Sequence, residues 1–334
     1  MASPGMPAAL FSRRGLFFLL QAAISLGALA YALAGVDLPL LWQALRGYAP
    51  WAVGLSLGAL ALDYACMGLR LHTLLSAGTR YALSLKAVLL CVGYNNILPA
   101  KAGDAMKVVF LTRKTGMSLL DVSSIILWER LLDVLSLLCV ALLAYTLLGT
   151  GQRLLLPVLL VLGGGGLFFC LRCWSAWFHA AYARFFPGRM ATLCSRLHEQ
   201  IIDKISLPRV LRGFVLSLGT WSCYFASFVI SLRLVAGLPL DGVQMLTVFA
   251  VTCLGMAIPS SPGGLGVFEG AMVLSLSWFG VEQSAALGIA LYTHALHFLP
   301  AALAALLLNG SRGFWKAADQ PESSRRIDGQ GDTI

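Results

Sequence analysis

Charge is the scarcest feature of this sequence. Of its 334 residues, 12% are Asp, Glu, Lys or Arg, where a soluble globular domain usually has about 25%. Hydrophobic residues make up 58%, and the mean hydropathy is +0.81. These values exclude an ordinary soluble domain, a disordered chain and a small disulfide scaffold. Acidic residues are fewest, 15 against 24 basic, which leaves a net charge of +9. No Gly-rich Walker sequence occurs, which argues against ATP-driven transport by this chain alone. HExxH does not occur, so the zincin pattern is absent. There are eight cysteines, and most lie in apolar stretches where a thiol acts as a small hydrophobe. The single CxxC, Cys170 and Cys173, has no second pair and reads as packing.

Long apolar runs are plentiful instead. A run of roughly 20 apolar residues crosses a bilayer. Six stretches meet that length: about 16–36, 50–69, 119–148, 154–171, 211–232 and 284–309. The first follows Arg13 and Arg14 and exceeds the usual signal-peptide core, so it reads as an uncleaved span. Two more stretches, 83–99 and 243–261, end in proline–glycine clusters. Proline lacks an amide donor and glycine costs backbone entropy, so both stretches break. Broken backbone at membrane depth survives only inside protein or beside a watery cavity. The expected fold is therefore an all-α integral membrane protein, with about six full spans plus two re-entrant or broken helical hairpins. Residues 1–15 form an N-terminal segment, 16–312 the membrane domain, and 313–334 a polar, disordered tail.

The basic residues suggest an orientation. With both termini cytoplasmic and both hairpins returning to their own side, 20 of the 24 cations lie inside. That group includes seven from Arg70 to Lys114 and seven from Arg172 to Arg212. Such a bias follows the positive-inside rule and explains the high charge without nucleic acid, which is not an expected partner. Residues 173–209 mix Trp174, Trp177, Phe178, Phe185 and Phe186 with Arg184, Arg189 and Arg196. That mixture suits a helix lying on the anionic cytoplasmic leaflet.

A shift of 163 residues aligns the two broken regions. Leu69-Arg70-Leu71 falls on Leu232-Arg233-Leu234, Ala87-Val88 on Ala250-Val251, Pro99 on Pro262 and Gly103 on Gly266. Three full spans separate the copies, so they should enter from opposite faces as an inverted repeat, with units of about 50–116 and 211–280. In such folds broken helices meet near the midplane and form the substrate site.

Ionisable groups inside a bilayer are costly and point to function. Asp63, Glu129, Asp133 and Glu269 are the acidic candidates. Glu129 and Asp133 share a helical face, and Arg130 can pair with Asp133 three residues on. The cluster serves either as a buried structural ion-pair group or as a site that holds a charged headgroup or moves a proton. Helices should start after each break, near Gly103-Asp104 and Gly266-Val267. Free N–H groups there suit phosphate, with Lys101 and Lys107 adding charge; Asp104 could cap the first helix instead. Asn95 and Asn96 precede the first break and need a broken backbone or a ligand to bond. His294 and His297, three apart in the last span, read as satisfied packing. Gly163 to Gly166 lie within a span, where small residues let helices approach.

Three segments resemble those of the lysylphosphatidylglycerol synthase transmembrane-region family, a flippase-like domain family. Asn95 to Asp104, NNILPAKAGD, resembles its N-x-LPA-R/K-x-G-D/E segment. Glu129 to Asp133, ERLLD, resembles its ERxxD segment, and Pro262 to Glu269, PGGLGVFE, its PGGxGxxE segment. Lys101 stands where the family commonly has arginine. Together the segments cover most of residues 15–312. The resemblance implies a helical domain related to the part of the synthase that moves aminoacylated lipid between leaflets. The full synthase also carries a soluble aminoacyl-transferase domain after its membrane part. This chain stops at Ile334, shortly after its last apolar stretch, so aminoacylation is not expected.

The expected function is translocation of a phospholipid or lipid-linked headgroup, without enzymatic chemistry, cofactor or metal. The substrate site is expected at Asn95, Asn96, Pro99, Lys101, Gly103, Asp104, Lys107, Glu129, Arg130, Asp133, Pro262, Gly263, Gly264, Gly266 and Glu269. Membrane lipids and the anionic cytoplasmic leaflet are the expected partners, and the plasma (inner) membrane the expected location. An accessory subunit beside a lipid-modifying or glycosyltransferase enzyme is the alternative. A membrane-embedded transferase ranks third.

Overall fold

The computed structural model describes residues 50–75, 78–98, 101–147, 172–199, 206–258 and 260–310, with Ile202 and scattered positions between 23 and 39. The 154–171 stretch with its four glycines, most of 16–36, Pro99, Cys170 and the 313–334 tail lie outside the described residues.

Every regular element among the described residues is helical. In lipid, a helix bonds all of its backbone internally. The helices are α1 (Pro50–Leu74), α2 (Tyr81–Ile97), α3 (Ala102–Thr115), α4 (Leu119–Leu147), α5 (Ser175–Phe185), α6 (Gly188–His198), α7 (Leu207–Val229), α8 (Gly242–Gly255), α9 (Val267–Ser277) and α10 (Gln283–Gly310). Helix α7 continues as a π-helical turn, Ile230–Val235, where Ser231 Oγ donates to the Ser227 carbonyl at 2.9 Å. Helix α8 starts with a capping box: Asp241 Oδ1 accepts from Gln244 N, and Gln244 Oε1 from Asp241 N. Gly116, at φ 71°, ends α3 in the left-handed conformation that glycine adopts without penalty.

Among the described residues, three helices are long and apolar enough to cross a membrane: Pro50–Leu74, Leu207–Val235 and Gln283–Leu308. Helix α4 has 29 residues, about 43 Å at 1.5 Å per residue, but carries Glu129, Arg130 and Asp133 in its middle. Helices α2, α3, α8 and α9 have 17, 14, 14 and 11 residues, or about 26 to 17 Å. Each is shorter than a hydrocarbon core of about 30 Å. The apolar outside of the molecule matches its membrane composition. Leu55, Leu62, Leu127, Leu303, Leu306 and Leu307 are all exposed.

Helices α1 and α7 form an antiparallel pair. Ser56 Oγ lies 3.4 Å from Ser231 Oγ near one end, Arg70 bonds Ser217 Oγ at 2.8 Å, and Leu74 packs by Gly213 at the other. Around them α2 packs on α10, α4 on α8, α3 on α2 and α4, and α9 on α8 and α10. Helices α5 and α6 pack on each other. Trp174, Trp177, Phe185 and Phe186 are exposed on that unit, while His198 is buried among Phe178, His179 and Tyr182.

The charge pattern counted Arg70 and Lys107 among the cations on the cytoplasmic side. They are 1% and 4% exposed and belong to a buried ion cluster. The apolar pattern ended the second span at residue 69 because Arg70 interrupts it. The helix runs on to Leu74 because acids on α4 neutralise that arginine.

Candidate functional site

The middle of α4 organises the first half of the site. Glu129 Oε2 accepts from Lys107 Nζ of α3 at 2.5 Å, and its Oε1 lies 3.6 Å from Arg70 Nη2 of α1. Arg70 grips Asp133 with both arms, Nη1 to Oδ1 at 2.5 Å and Nη2 to Oδ2 at 3.3 Å. A two-armed guanidinium–carboxylate pair is the strongest common form of such contacts. Arg130 lies 3.5 Å from Asp133 Oδ2, as its spacing predicts, but its closer bond is to Asp104 of α3. Asp104 also accepts from Cys91 Sγ at 3.0 Å and from Asn95 Nδ2 at 3.5 Å. Four helices thus share one charged network. Asp104 does not cap α3, because its carboxylate is committed sideways.

The second half is built on the PGGLG break. Pro262–Gly264 form a single 3₁₀ turn, and Gly263, Gly264 and Gly266 have φ of 66°, 75° and 86°. Glycine alone adopts such angles without strain. Glu269 Oε2 accepts from Gly266 N at 2.7 Å, and Oε1 lies 2.6 Å from His294 Nδ1 of α10. His294 Nε2 lies 3.0 Å from the Gly263 carbonyl. Both imidazole nitrogens therefore face oxygens, one of the Glu269 carboxylate and one of the Gly263 carbonyl. At the second break, Glu269 of the same helix already takes the Gly266 N–H.

The two breaks meet. Asn96 donates from Nδ2 to the Phe298 carbonyl at 3.2 Å, and a Cβ on Gly263 would lie 3.2 Å from the Asn96 carbonyl and 2.5 Å from the Phe298 ring. Beside this junction opens a cavity of about 290 Å³. Its lining is mixed: Asp63, Asn96, Arg130, Asp133, Thr220, His294 and His297 are polar, and Leu60, Met67, Val92, Trp221, Met256, Phe268 and Phe298, with Tyr64 and Tyr224, supply apolar and aromatic surface.

Of the residues expected in the site, Asn96, Arg130, Asp133 and Gly263 line this cavity. Glu129, Lys107, Asp104 and Asn95 stand behind Arg130 and Asp133 in the network. Glu269 stands behind His294, and Pro262, Gly264 and Gly266 shape the turn. Gly103 lets α3 approach α2, since a Cβ there would strike the Cys91 carbonyl and come within 2.8 Å of Asn95 N. Lys101 is exposed, has left-handed backbone at φ 52° and opens α3. Pro99 lies outside the described residues.

Sequence reasoning missed Arg70, His294, His297, Trp221 and Tyr224. Arg70 carried a signal, since it is a cation at the end of an apolar run and sits inside the 163-residue alignment. His294 carried one too: no other charge or amide lies near it in the last span to satisfy it.

No curated protein matches the chain. The family model described as the lysylphosphatidylglycerol synthase TM region matches residues 18–305, which takes in both breaks, the ion network and the cavity. The chain therefore belongs to the lysylphosphatidylglycerol synthase transmembrane-region family, a membrane-protein family tied to lipid handling.

Proposed function

We propose that this protein translocates a phospholipid or a lipid-linked headgroup between leaflets, through the cavity where its two broken helices meet. One observation carries the reading: a cavity lined by both charged and aromatic side chains stands at the junction of Asn96 and Gly263. Its volume of about 290 Å³ is at the lower end of small-molecule sites. That space admits a headgroup. An acyl chain crossing one leaflet is about 15 Å long, half of the hydrocarbon core, so the tails stay in lipid.

The inverted repeat belongs to this reading. Moving α1 to α4 along by 163 residues carries their bounds to 213–237, 244–260, 265–278 and 282–310, close to those of α7 to α10. The contacts exchange in the same way: α2 packs on α10 while α4 packs on α8. An antiparallel α1–α7 pair is the natural axis of such a repeat. Alternating access would then rock one repeat against the other around the fixed cavity. Six full spans, both termini cytoplasmic, a plasma-membrane location and α5–α6 resting on the anionic leaflet complete the proposal. The lipid leaves chemically unchanged, and no cofactor takes part.

One observation favours a second reading. Glu129, Lys107 and Arg70 are buried and mutually paired, as in a rigid scaffold, which suits an accessory subunit of a lipid-modifying or glycosyltransferase enzyme. Photo-crosslinking separates the two. A phospholipid with a photoactive headgroup, reconstituted with the protein, should label Trp221, Tyr224 or Met256 within the cavity. Labelling confined to the outer leucines would favour the scaffold.

A further inference from the structure

Among the described residues, Asp63 is the one acid of the central cluster without a hydrogen bond or ion pair. It lies on α1, is 5% exposed, and lines the cavity. Its Oδ1 accepts no hydrogen bond. Every other acid here is committed: Asp104 to Arg130, Glu129 to Lys107, Asp133 to Arg70 and Glu269 to His294. Asp63, Asp104, Glu129 and Asp133 are therefore four carboxylates against three cations, Arg70, Lys107 and Arg130, while His294 is taken up by Glu269.

A buried carboxylate without a partner costs several kcal/mol, and such a group escapes that cost by taking a proton or a cation. The groups around Asp63 do not supply one. On its own helix stand Tyr64 and Arg70, and Arg70 is held by Asp133 and Ser217. Helix α7 presents Cys223 and Tyr224, neither of which carries positive charge. Helix α4 presents Asp133, a like charge, and Arg130, which is turned to Asp104. Helix α10 presents His294, held by Glu269, and His297, whose Nε2 is 3.3 Å from Ser227 Oγ. Asp63 thus stands in the cavity between two polar chains. One chain leads through Arg70, Asp133 and Arg130 to the first break. The other leads through His294 and Glu269 to the second.

We propose that Asp63 is a proton-carrying site that links transport to the proton gradient. Resting on the translocase reading, the cycle binds one proton at Asp63 in one orientation of the cavity and releases it in the other. The proton comes from water on one side and returns to water on the other, so no further reactant is needed. Proton movement and headgroup movement share the cavity and are tied to one reorientation.

The test uses the full chain in vesicles of phosphatidylglycerol and phosphatidylethanolamine, each headgroup-labelled in turn, with and without an imposed pH gradient. One proton per lipid across one pH unit corresponds to about a tenfold leaflet asymmetry. Wild type should approach that asymmetry, and Asp63→Asn should leave the label equal on both leaflets. Asp63→Glu, which keeps the carboxyl, should restore at least part of the asymmetry and guards against misfolding. An Asp63→Asn protein that accumulates lipid like wild type, or a wild type indifferent to the gradient, overturns the proposal. Infrared titration of the same samples separates this from failure of the translocase reading. If no lipid moves under any condition, translocation fails, and the proton site stands or falls on a titrating carboxyl band present in wild type and missing in Asp63→Asn.

Discussion

Replacing Glu129 with alanine should destabilise the protein by about 3–5 kcal/mol, the cost of stranding a buried charge. Glu129 is 2% exposed and holds Lys107 at 2.5 Å, with Arg70 at 3.6 Å. Removing it leaves the Lys107 ammonium buried without its ion-pair partner, with only the more distant Asp104 carboxylate to offset it. Arg70 keeps Asp133 and suffers less. A loss of that size is a large part of the 5–15 kcal/mol that usually separates native from unfolded protein. The sign of the coupling is the sharper check. Lys107→Met alone should also destabilise, because Glu129 then lacks its closest donor. Lys107→Met combined with Glu129→Met should recover at least half of the summed losses, since an apolar pair replaces an ionic one. Denaturant titration in mixed micelles measures all three. Strictly additive losses would mean that the two residues do not form the pair described.

The second large effect is expected at Gly93. A Cβ there would fall against the Ala301 carbonyl and the Ala305 methyl of α10, and backbone cannot move aside as a flexible side chain can. Gly93→Leu should therefore push α2 from α10 and cost about 3 kcal/mol or more, at the upper end of core overpacking. It should also open the junction at which Asn96 bonds the Phe298 carbonyl. Gly58→Leu on α1 is the control: nothing lies within 4 Å of its added Cβ, so its effect should stay within about 0.5 kcal/mol. Equal losses for the two variants would contradict the close α2–α10 packing.

Much of the helical layout was legible in the sequence because lipid leaves few choices. A backbone without water must be helical or covered, so apolar runs read as helices and proline–glycine clusters as breaks. The stretch 119–148 became Leu119–Leu147, and 284–309 became Gln283–Gly310. The breaks at residues 99–103 and 259–266 fell between α2 and α3 and between α8 and α9. Boundaries failed where a charge was mistaken for an end. Arg70 appeared to close its span, yet Asp133, 63 residues away, lets it stay buried. The candidate site was less legible for the same reason. The Arg130–Asp133 contact lies within one helical turn and could be anticipated. The partners Lys107–Glu129, Arg130–Asp104 and His294–Glu269 are 22, 26 and 25 residues apart, and no local periodicity links them. Asp63 was noticed as an intramembrane acid, but only the surrounding helices reveal that it lacks a partner. The aromatic lining from Trp221 and Tyr224 was hidden because aromatic residues in an apolar helix look alike whether they face lipid, core or cavity.

The central claim is that a lipid headgroup crosses through the cavity at the junction of the two breaks. The most direct measurement is headgroup-labelled phospholipid exchange between leaflets of proteoliposomes, comparing wild type with Thr220→Trp, which fills the cavity, and Leu306→Trp, which adds the same ring on the exposed outer face. The account predicts protein-dependent exchange in wild type and Leu306→Trp, and a loss of at least tenfold in folded Thr220→Trp. Exchange at the wild-type rate through a filled cavity, or none in folded wild type for any lipid tested, would contradict it.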